Sequence, residues 1–281
     1  MIRVQSHSAK PPKAVRLWHD LLLWLRNRLE QRFQIDDGVA RYTFRCDTLR
    51  EIGRYYNFFL KEPGTVQWIR TDVAPGQTFF DIGANIGVYT LQAARRVGPE
   101  GRVFAFEPHS ANFTRLLENI YINGLQQTVV PCNFALNNEV AILPFNYSSL
   151  ATGTSDSQLS SLRSFGGETY TPQLSEMKSA WTVDALISRA NFPAPHHVKI
   201  DVDGNEERIL QGMETVLKGD RRPASIQVEI SPSTRGAIEG FMDRCGYALS
   251  ATHVSAGVDS RVSKGADAGT LHFNGIFRPR T

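Results

Sequence analysis

Thr78-Phe79-Phe80-Asp81-Ile82-Gly83-Ala84-Asn85-Ile86-Gly87-Val88-Tyr89 decides how the rest of this chain is read. An apolar strand over residues 78–82 runs into a glycine turn, and a helix is predicted from about Asn85 to Arg96. Glycine at such a turn admits dihedrals closed to other residues and lets the main chain approach a ligand. The turn departs from the dinucleotide pattern G-x-G-x-x-G, because Asn85 stands for the second glycine and Val88 for the third. Asp81 sharpens the departure, since a carboxylate at the strand end repels a pyrophosphate and attracts a cation. A nicotinamide-dependent oxidoreductase is therefore disfavoured.

Outward from this unit the same alternation repeats. Strands are predicted at residues 102–106, 128–132, 197–202, 225–230 and 247–252, with helices near 64–72, 110–121, 183–189, 206–217 and 234–245. Strands alternating with helices imply an α/β fold whose parallel sheet is covered on both faces. A last strand, at 270–277, follows a loop rather than a helix, so it can pair antiparallel. Upstream, residues 38–60 read as short strands leading toward a helix. One segment breaks the alternation. Residues 146–179 are rich in Ser, Thr and Gly, and read equally as a mobile surface excursion or as a substrate loop.

The whole chain has 281 residues, 41% of them hydrophobic and 10% aromatic, a globular composition. Its net charge of +3 hides an asymmetry: residues 1–33 carry 7 Lys/Arg against 2 acids, or +5, which leaves 3 − 5 = −2 elsewhere. The body is thus no nucleic-acid platform. Residues 1–13 read as a polar leader. Trp18, Leu22, Leu25, Leu29 and Phe33, widened by Leu17, Leu21 and Trp24, predict an amphipathic helix over 14–33. It would pack on its own domain or on a second copy as a homodimer, or lie on an anionic membrane as a peripheral contact. The apolar run at 21–25 is cut by Asp20 and Arg26, so neither a membrane span nor a signal peptide is expected. Cys46, Cys132 and Cys245 share no CxxC spacing, which points away from zinc and disulfides and toward a soluble, cytoplasmic protein.

Two further sites carry chemistry. Glu107 ends the second strand, 107 − 83 = 24 residues after the first turn glycine, where an acid can hold both ribose hydroxyls of a nucleoside. Lys199-Ile200-Asp201-Val202-Asp203-Gly204-Asn205-Glu206 lies at the carboxyl edge of the sheet, and alternation puts Lys199, Asp201 and Asp203 on one face while the strand lasts. An EF-hand is rejected because Glu206 stands where its glycine belongs. Asp201, Asp203 and Glu229 could together hold Mg²⁺, although the reading adopted assigns no metal. His196 and His197 are read as structural. A nucleoside ligand with a positive charge and no phosphate describes S-adenosylmethionine (SAM), which carries a sulfonium and an ammonium.

These residues resemble the FkbM family of SAM-dependent methyltransferases. Similar to that family are Phe80–Thr90, Phe104-Ala105-Phe106-Glu107-Pro108, Asn119 and Asn123, Thr182-Val183-Asp184-Ala185-Leu186, Val198–Glu206, and Leu210-Gln211-Gly212. The resemblance runs from about Tyr56 to the C-terminus. Asp203 departs mildly from the family's more frequent Glu, and Asn205 from its common Ala. It implies a Rossmann-like, class I methyltransferase fold: a seven-stranded, mostly parallel sheet with the last strand antiparallel, here behind an N-terminal extension. The division expected is an extension over 1–60 and a methyltransferase domain over 61–281, with an insertion at 146–179. The resemblance also implies O-methylation of a hydroxyl on a sugar, glycolipid or secondary metabolite, with SAM as cofactor. Carried over, Asp81, Gly83, Asn85 and Gly87 surround the methionine part of SAM, Glu107 and Pro108 its ribose, and Asn133 to Ala135 its adenine. Asp201 is the first candidate for general base or SAM-positioning carboxylate, with Asp203 and Glu206 next. The rival reading is a non-catalytic SAM-fold module docked by residues 14–33.

Overall fold

The computed structural model describes residues 12–28, 32–163, 168–255 and 272–280. In chain order the elements begin with α1 (Lys13–Arg28), β1 (Arg32–Asp36), β2 (Arg41–Arg45), α2 (Leu49–Tyr56), α3 (Pro63–Asp72), β3 (Thr78–Ile82), α4 (Val88–Val97), β4 (Arg102–Phe106) and α5 (Ser110–Ile122). There follow β5 (Val129–Cys132), β6 (Ala135–Leu136), β7 (Ala141–Tyr147), β8 (Gln158–Leu159), β9 (Leu174–Trp181), α6 (Val183–Arg189) and β10 (His197–Ile200). The chain ends with α7 (Glu206–Gln211), α8 (Glu214–Lys218), β11 (Ser225–Ile230), α9 (Arg235–Arg244), β12 (Tyr247–His253) and β13 (Phe273–Pro279).

Seven strands form the main sheet in the order β12-β13-β11-β10-β3-β4-β5. β13 runs antiparallel to both β11 and β12, while β3, β4, β5, β10 and β11 are mutually parallel, as expected. One apolar core lies on each face. Phe80, Ile82, Val198, Ile200, Val228 and Met242 belong to one, and Phe79, Ala105, Leu91, Trp68 and Val103 to the other. Alternate residues of one strand therefore feed opposite cores, which is why β3 carries apolar residues on both faces, Phe79 on one and Phe80 and Ile82 on the other. His197 is buried against Ser225 Oγ (2.7 Å) and Gln77 Oε1 (3.0 Å), and His196 Nδ1 accepts from the Thr78 amide at 3.0 Å.

Several boundaries differ from the sequence expectation for physical reasons. The helix expected from Asn85 begins at Val88, because Asn85 (φ 50°) and Gly87 (φ 97°) hold two left-handed turns before it. The helix expected over 206–217 is two helices. Asp184 takes the amides of Thr215 and Val216 at 2.9 Å each, and a Cβ on Gly212 would stand 2.1 Å from Asn137 O. The helix expected over 14–33 covers only Lys13–Arg28, and Phe33 sits in β1 opposite Phe44 in an antiparallel hairpin. Arg32-Phe33-Gln34-Ile35-Asp36 alternates polar with apolar, so period two prevails over the helical stripe.

The Ser-rich segment is not a featureless excursion. Its ends are strands of a second sheet, ordered β6-β9-β7-β8, whose buried Phe145, Tyr147, Leu159 and Ala180 form a small core of their own. The N-terminal hairpin is packed as well: Tyr42, Phe44 and Phe58 lie in the same core as α3 and α4, and Ile52 and Tyr55 of α2 pack against it. Asn123 holds β2 from both sides, accepting from the Thr43 amide (2.9 Å) and donating to Thr43 O (2.7 Å). Asn119 likewise joins the Arg45 amide (3.1 Å) to Ile86 O (2.8 Å).

Candidate active site

Two adjoining clefts open at the carboxyl edge of the main sheet. Gly83, Asn85, Ser155, Asp201 and Asp203 belong to both walls. The first cleft continues along Phe106, Glu107, Pro108, Phe134 and Ala135, and the second along Arg54, Asn57, Lys61, Tyr89, Lys199 and Glu229. Of the residues singled out on sequence, Gly83, Asn85, Glu107, Pro108, Ala135, Asp201 and Asp203 thus meet at one place.

The turn after β3 is built by close approach. Gly83 has φ 84°, and a Cβ there would stand 1.8 Å from Asp201 O. Only glycine lets the ends of β3 and β10 lie side by side here. Asn85 secures the next step, donating from its amide to Glu107 Oε2 (2.7 Å) and from Nδ2 to Thr154 O (2.8 Å). Gly87 serves packing instead: its Cβ would meet Leu116 Cδ1 at 2.8 Å, and it lines neither cleft. Asn133 also stands behind the first cleft, with Nδ2 on Glu107 O (2.8 Å) and Oδ1 accepting from Lys178 Nζ (2.9 Å).

Glu107 is buried, and its carboxylate accepts from the amides of Asn85 and His109 (2.8 Å). Burial raises it to about 7 against those hydrogen bonds. Glu206 turns its carboxylate onto the main chain, taking the amides of Val202 (3.1 Å) and Gly204 (3.0 Å). It lines neither cleft and acts as the clamp of the loop that carries Asp203.

The electrostatics separate the acids. Lys199 is 1% exposed, and its Nζ lies 2.7 Å from Asp201 Oδ2. Burial opposes the charge on Asp201, but the Lys199 ammonium outweighs it and holds the carboxyl well below the usual range. Asp203 leaves the strand face: β10 ends at Ile200, and Asp203 adopts φ 60° with one oxygen on the Asp156 amide (3.0 Å). Burial, and then the Asp201 charge, push it up to about 6. Asp81 is buried and raised by desolvation; Oδ2 accepts from Thr90 Oγ1 (2.5 Å), while Oδ1 has no hydrogen-bond partner. Asp201, Asp203 and Glu229 bring one carboxylate oxygen each within 4.8 Å of the others, so the acids of the Mg²⁺ alternative are together, with the Lys199 ammonium already seated on one.

Sequence reasoning offered 146–179 as a substrate loop without naming its residues, and missed the wall contributed by α2 and the loop after it. Thr154 and Ser155, from the Ser-rich segment, reach the clefts because Asn112 clamps that segment, its Oδ1 on the Gly153 amide (2.8 Å) and Nδ2 on Thr154 O (3.1 Å). Arg54, Asn57 and Lys61 come from α2 and the loop after it. No local motif marks these residues; the low aliphatic content of 146–179 was the one available signal.

The Methyltransferase FkbM domain family matches residues 81–249. The hexuronic acid methyltransferase AglP of Haloferax volcanii is 25% identical over 185 residues, covering 66% of this chain and 69% of that protein. Among solved structures, the methyltransferase FkbM of Methylobacillus flagellatus KT superposes with a TM-score of 0.47 at 14% identity, over 80% of this chain and 50% of that one. The precorrin-6y C5,15-methyltransferase of Geobacter metallireducens GS-15 gives 0.44 at 15% identity, over 78% and 87%.

Proposed function

The chain belongs to the FkbM family of SAM-dependent methyltransferases, and from that premise we propose that it O-methylates a hydroxyl of a sugar, glycolipid or secondary metabolite, an anionic sugar above the others. The observation that carries the reading is the pair of joined clefts with Asp203 in both walls. A cofactor in one and an acceptor in the other would meet at that carboxylate.

The residues present suit SAM. Asp81 Oδ1 is a buried carboxylate oxygen lacking a partner, which a cationic group would satisfy directly or through water. The Gly83 turn removes the Cβ that would bar close approach of the main chain. Asp201 and Asp203, which line both clefts, make the junction suited to a cation and hostile to a phosphate, while Asp81 is buried and lines neither cleft. We assign Asp81, Gly83, Asn85 and Asp201 to the methionine side of SAM, with Gly87 setting the helix behind them. Glu107, Pro108 and Ala135 take the nucleoside side, with Asn133 in support. Each Glu107 oxygen keeps a second lone pair, so ribose hydroxyls can still donate to it. Bound SAM supplies an electrophilic methyl group on a good leaving group. Asp81→Asn is expected to weaken SAM binding roughly ten-fold or more in calorimetric titration, as a charge pair in a dry site is lost. NAD should give no heat with either protein. Equal SAM affinities would remove Asp81 from the assignment.

The chain's remaining work is to hold the acceptor hydroxyl in line and take its proton. Asp201 was the first choice on sequence, yet an acid held low by Lys199 is a weak proton acceptor. Asp203, raised to about 6, is matched to neutral pH. We therefore assign proton acceptance to Asp203, the orientation of Lys199 to Asp201, and loop support to Glu206. Methylation of hexuronic acid by the Haloferax relative supports an acidic acceptor here, with Arg54 on the second cleft to meet its carboxylate. Lys61, on the same cleft, is paired with Glu62 (3.1 Å), and Asp201, Asp203 and Glu229 form the opposing acids of that wall. Arg54 is held by Gly153 O (2.9 Å) and Ser155 Oγ (3.0 Å), leaving guanidinium N–H groups for a carboxylate. Residues 32–60 thus join the site, and we retain 1–60 as an extension and 61–281 as the methyltransferase domain.

A screen of uronic acids against neutral sugars with labelled SAM tests the acceptor class. Arg54→Ala is expected to raise KM for an acidic acceptor about ten-fold, the loss of a charge-assisted hydrogen bond, with kcat and SAM affinity nearly unchanged. Faster turnover of neutral sugars than of uronic acids would overturn the acidic assignment. SAM binding without turnover of any acceptor would return the chain to the binding-module reading.

A further inference from the structure

We propose that α1 is a membrane-docking helix, which lies in the interface of a bilayer carrying anionic phospholipid. On this 16-residue helix Leu17, Trp18, Leu21, Leu22, Leu23 and Leu25 are between 42% and 68% exposed. At about 3.6 residues per turn, Leu17, Trp18, Leu21, Leu22 and Leu25 fall on one half of its circumference. An apolar face of this kind left in water needs a partner.

Charge selects the partner. Within α1, Lys13, Arg16, Arg26 and Arg28 oppose Asp20 alone, so the helix carries 4 − 1 = +3. Residues 34–281 carry −2, which concentrates the attraction for anions at this end of the chain. A second copy would set +3 against +3, whereas lipid phosphates offer the opposite sign. Length selects the geometry. A helix of 16 residues is about 24 Å long, short of the ~30 Å hydrocarbon core. Among the described residues no helix is long and apolar enough to cross a membrane. α1 is built to lie along the surface, with its apolar half among the acyl chains and the exposed Lys13 and Arg16 at the headgroups. This surface is independent of the acceptor assigned above.

The test is sedimentation of the full-length protein with vesicles of phosphatidylcholine alone, and with vesicles containing a third phosphatidylglycerol. Each basic residue near an anionic surface is worth roughly five-fold in partitioning, so the mixed vesicles should bind about ten-fold or more tightly, with the difference shrinking as salt rises. The double variant L21E/L25E changes exposed positions and should keep cooperative unfolding and SAM affinity while losing vesicle binding. Binding without preference for the anionic lipid, or equal binding by L21E/L25E, would overturn the proposal. So would light scattering that shows a dimer dissolved by L21E/L25E, with no vesicle binding by the wild type; that result assigns the face to a second copy.

Discussion

Asp203→Asn is expected to lower kcat for methyl transfer by roughly 10²–10⁴-fold, the range a positioned general base contributes. SAM affinity should stay within a few-fold, because Asp81 and the Gly83 turn are untouched. The expectation rests on the contrast between two neighbouring acids. Asp201 is ion-paired to a buried lysine and stays ionised with little affinity for a proton, whereas Asp203 is pushed up to about 6 by burial and by the Asp201 charge. The pH profile carries the sign. Asp203 must be ionised to accept the hydroxyl proton, so log kcat/KM should rise with pH up to about 6 and then level off. The variant should lose that acid limb. Turnover of Asp203→Asn within ten-fold of wild type, or an unchanged limb, would transfer the role to another acid.

Glu51→Ala should cost about 3–5 kcal/mol of folding stability, the range for breaking a buried ion pair from one side. Glu51 is fully buried, and Oε2 accepts from the amides of Asp47 (2.7 Å) and Thr48 (2.9 Å) in the capping box that starts α2. Its Oε1 takes Arg115 Nε of α5 at 2.6 Å. Removing the side chain frees two amides and leaves a 5%-exposed guanidinium with Asp47 (2.7 Å) and Glu118 alone. Domains of this kind are stable by only about 5–15 kcal/mol, so the denaturation midpoint in urea should fall steeply at constant m-value. Arg54 rides on the same helix, so acceptor KM should rise as well. A loss below about 0.5 kcal/mol, the size of an ordinary surface change, would show that the extension is not joined to the domain through this pair.

Several parts of this protein could be read from local chemistry. The strands at 78–82, 102–106 and 225–230 were legible to the residue, because the first two are short, mostly apolar runs and the third alternates polar with apolar, each closed by a turn. Asp81 and Gly83 were legible for the same reason: an acid and a glycine at a strand-to-helix turn restrict what can bind there. Helix limits were less legible where the deciding group is distant. Asp184 capping α8 and Asn137 pressing on Gly212 lie far along the chain from the break they cause. Phe33 was read into the helical stripe, whereas the alternation of residues 32–36 and the pairing of Phe33 with Phe44 place it in a strand.

The sequence by itself determined the alternating α/β architecture and, through its motifs, the family. Each of these is written in residues close along the chain, where periodicity and turn chemistry act. The tertiary structure alone set the two neighbouring acids apart, since Lys199 is buried against Asp201 while Asp203 leaves the strand. It alone brought Arg54, Lys61 and Ser155 to the junction. Burial and charge at a point in space are sums over every element packed there, and a linear chain does not display them.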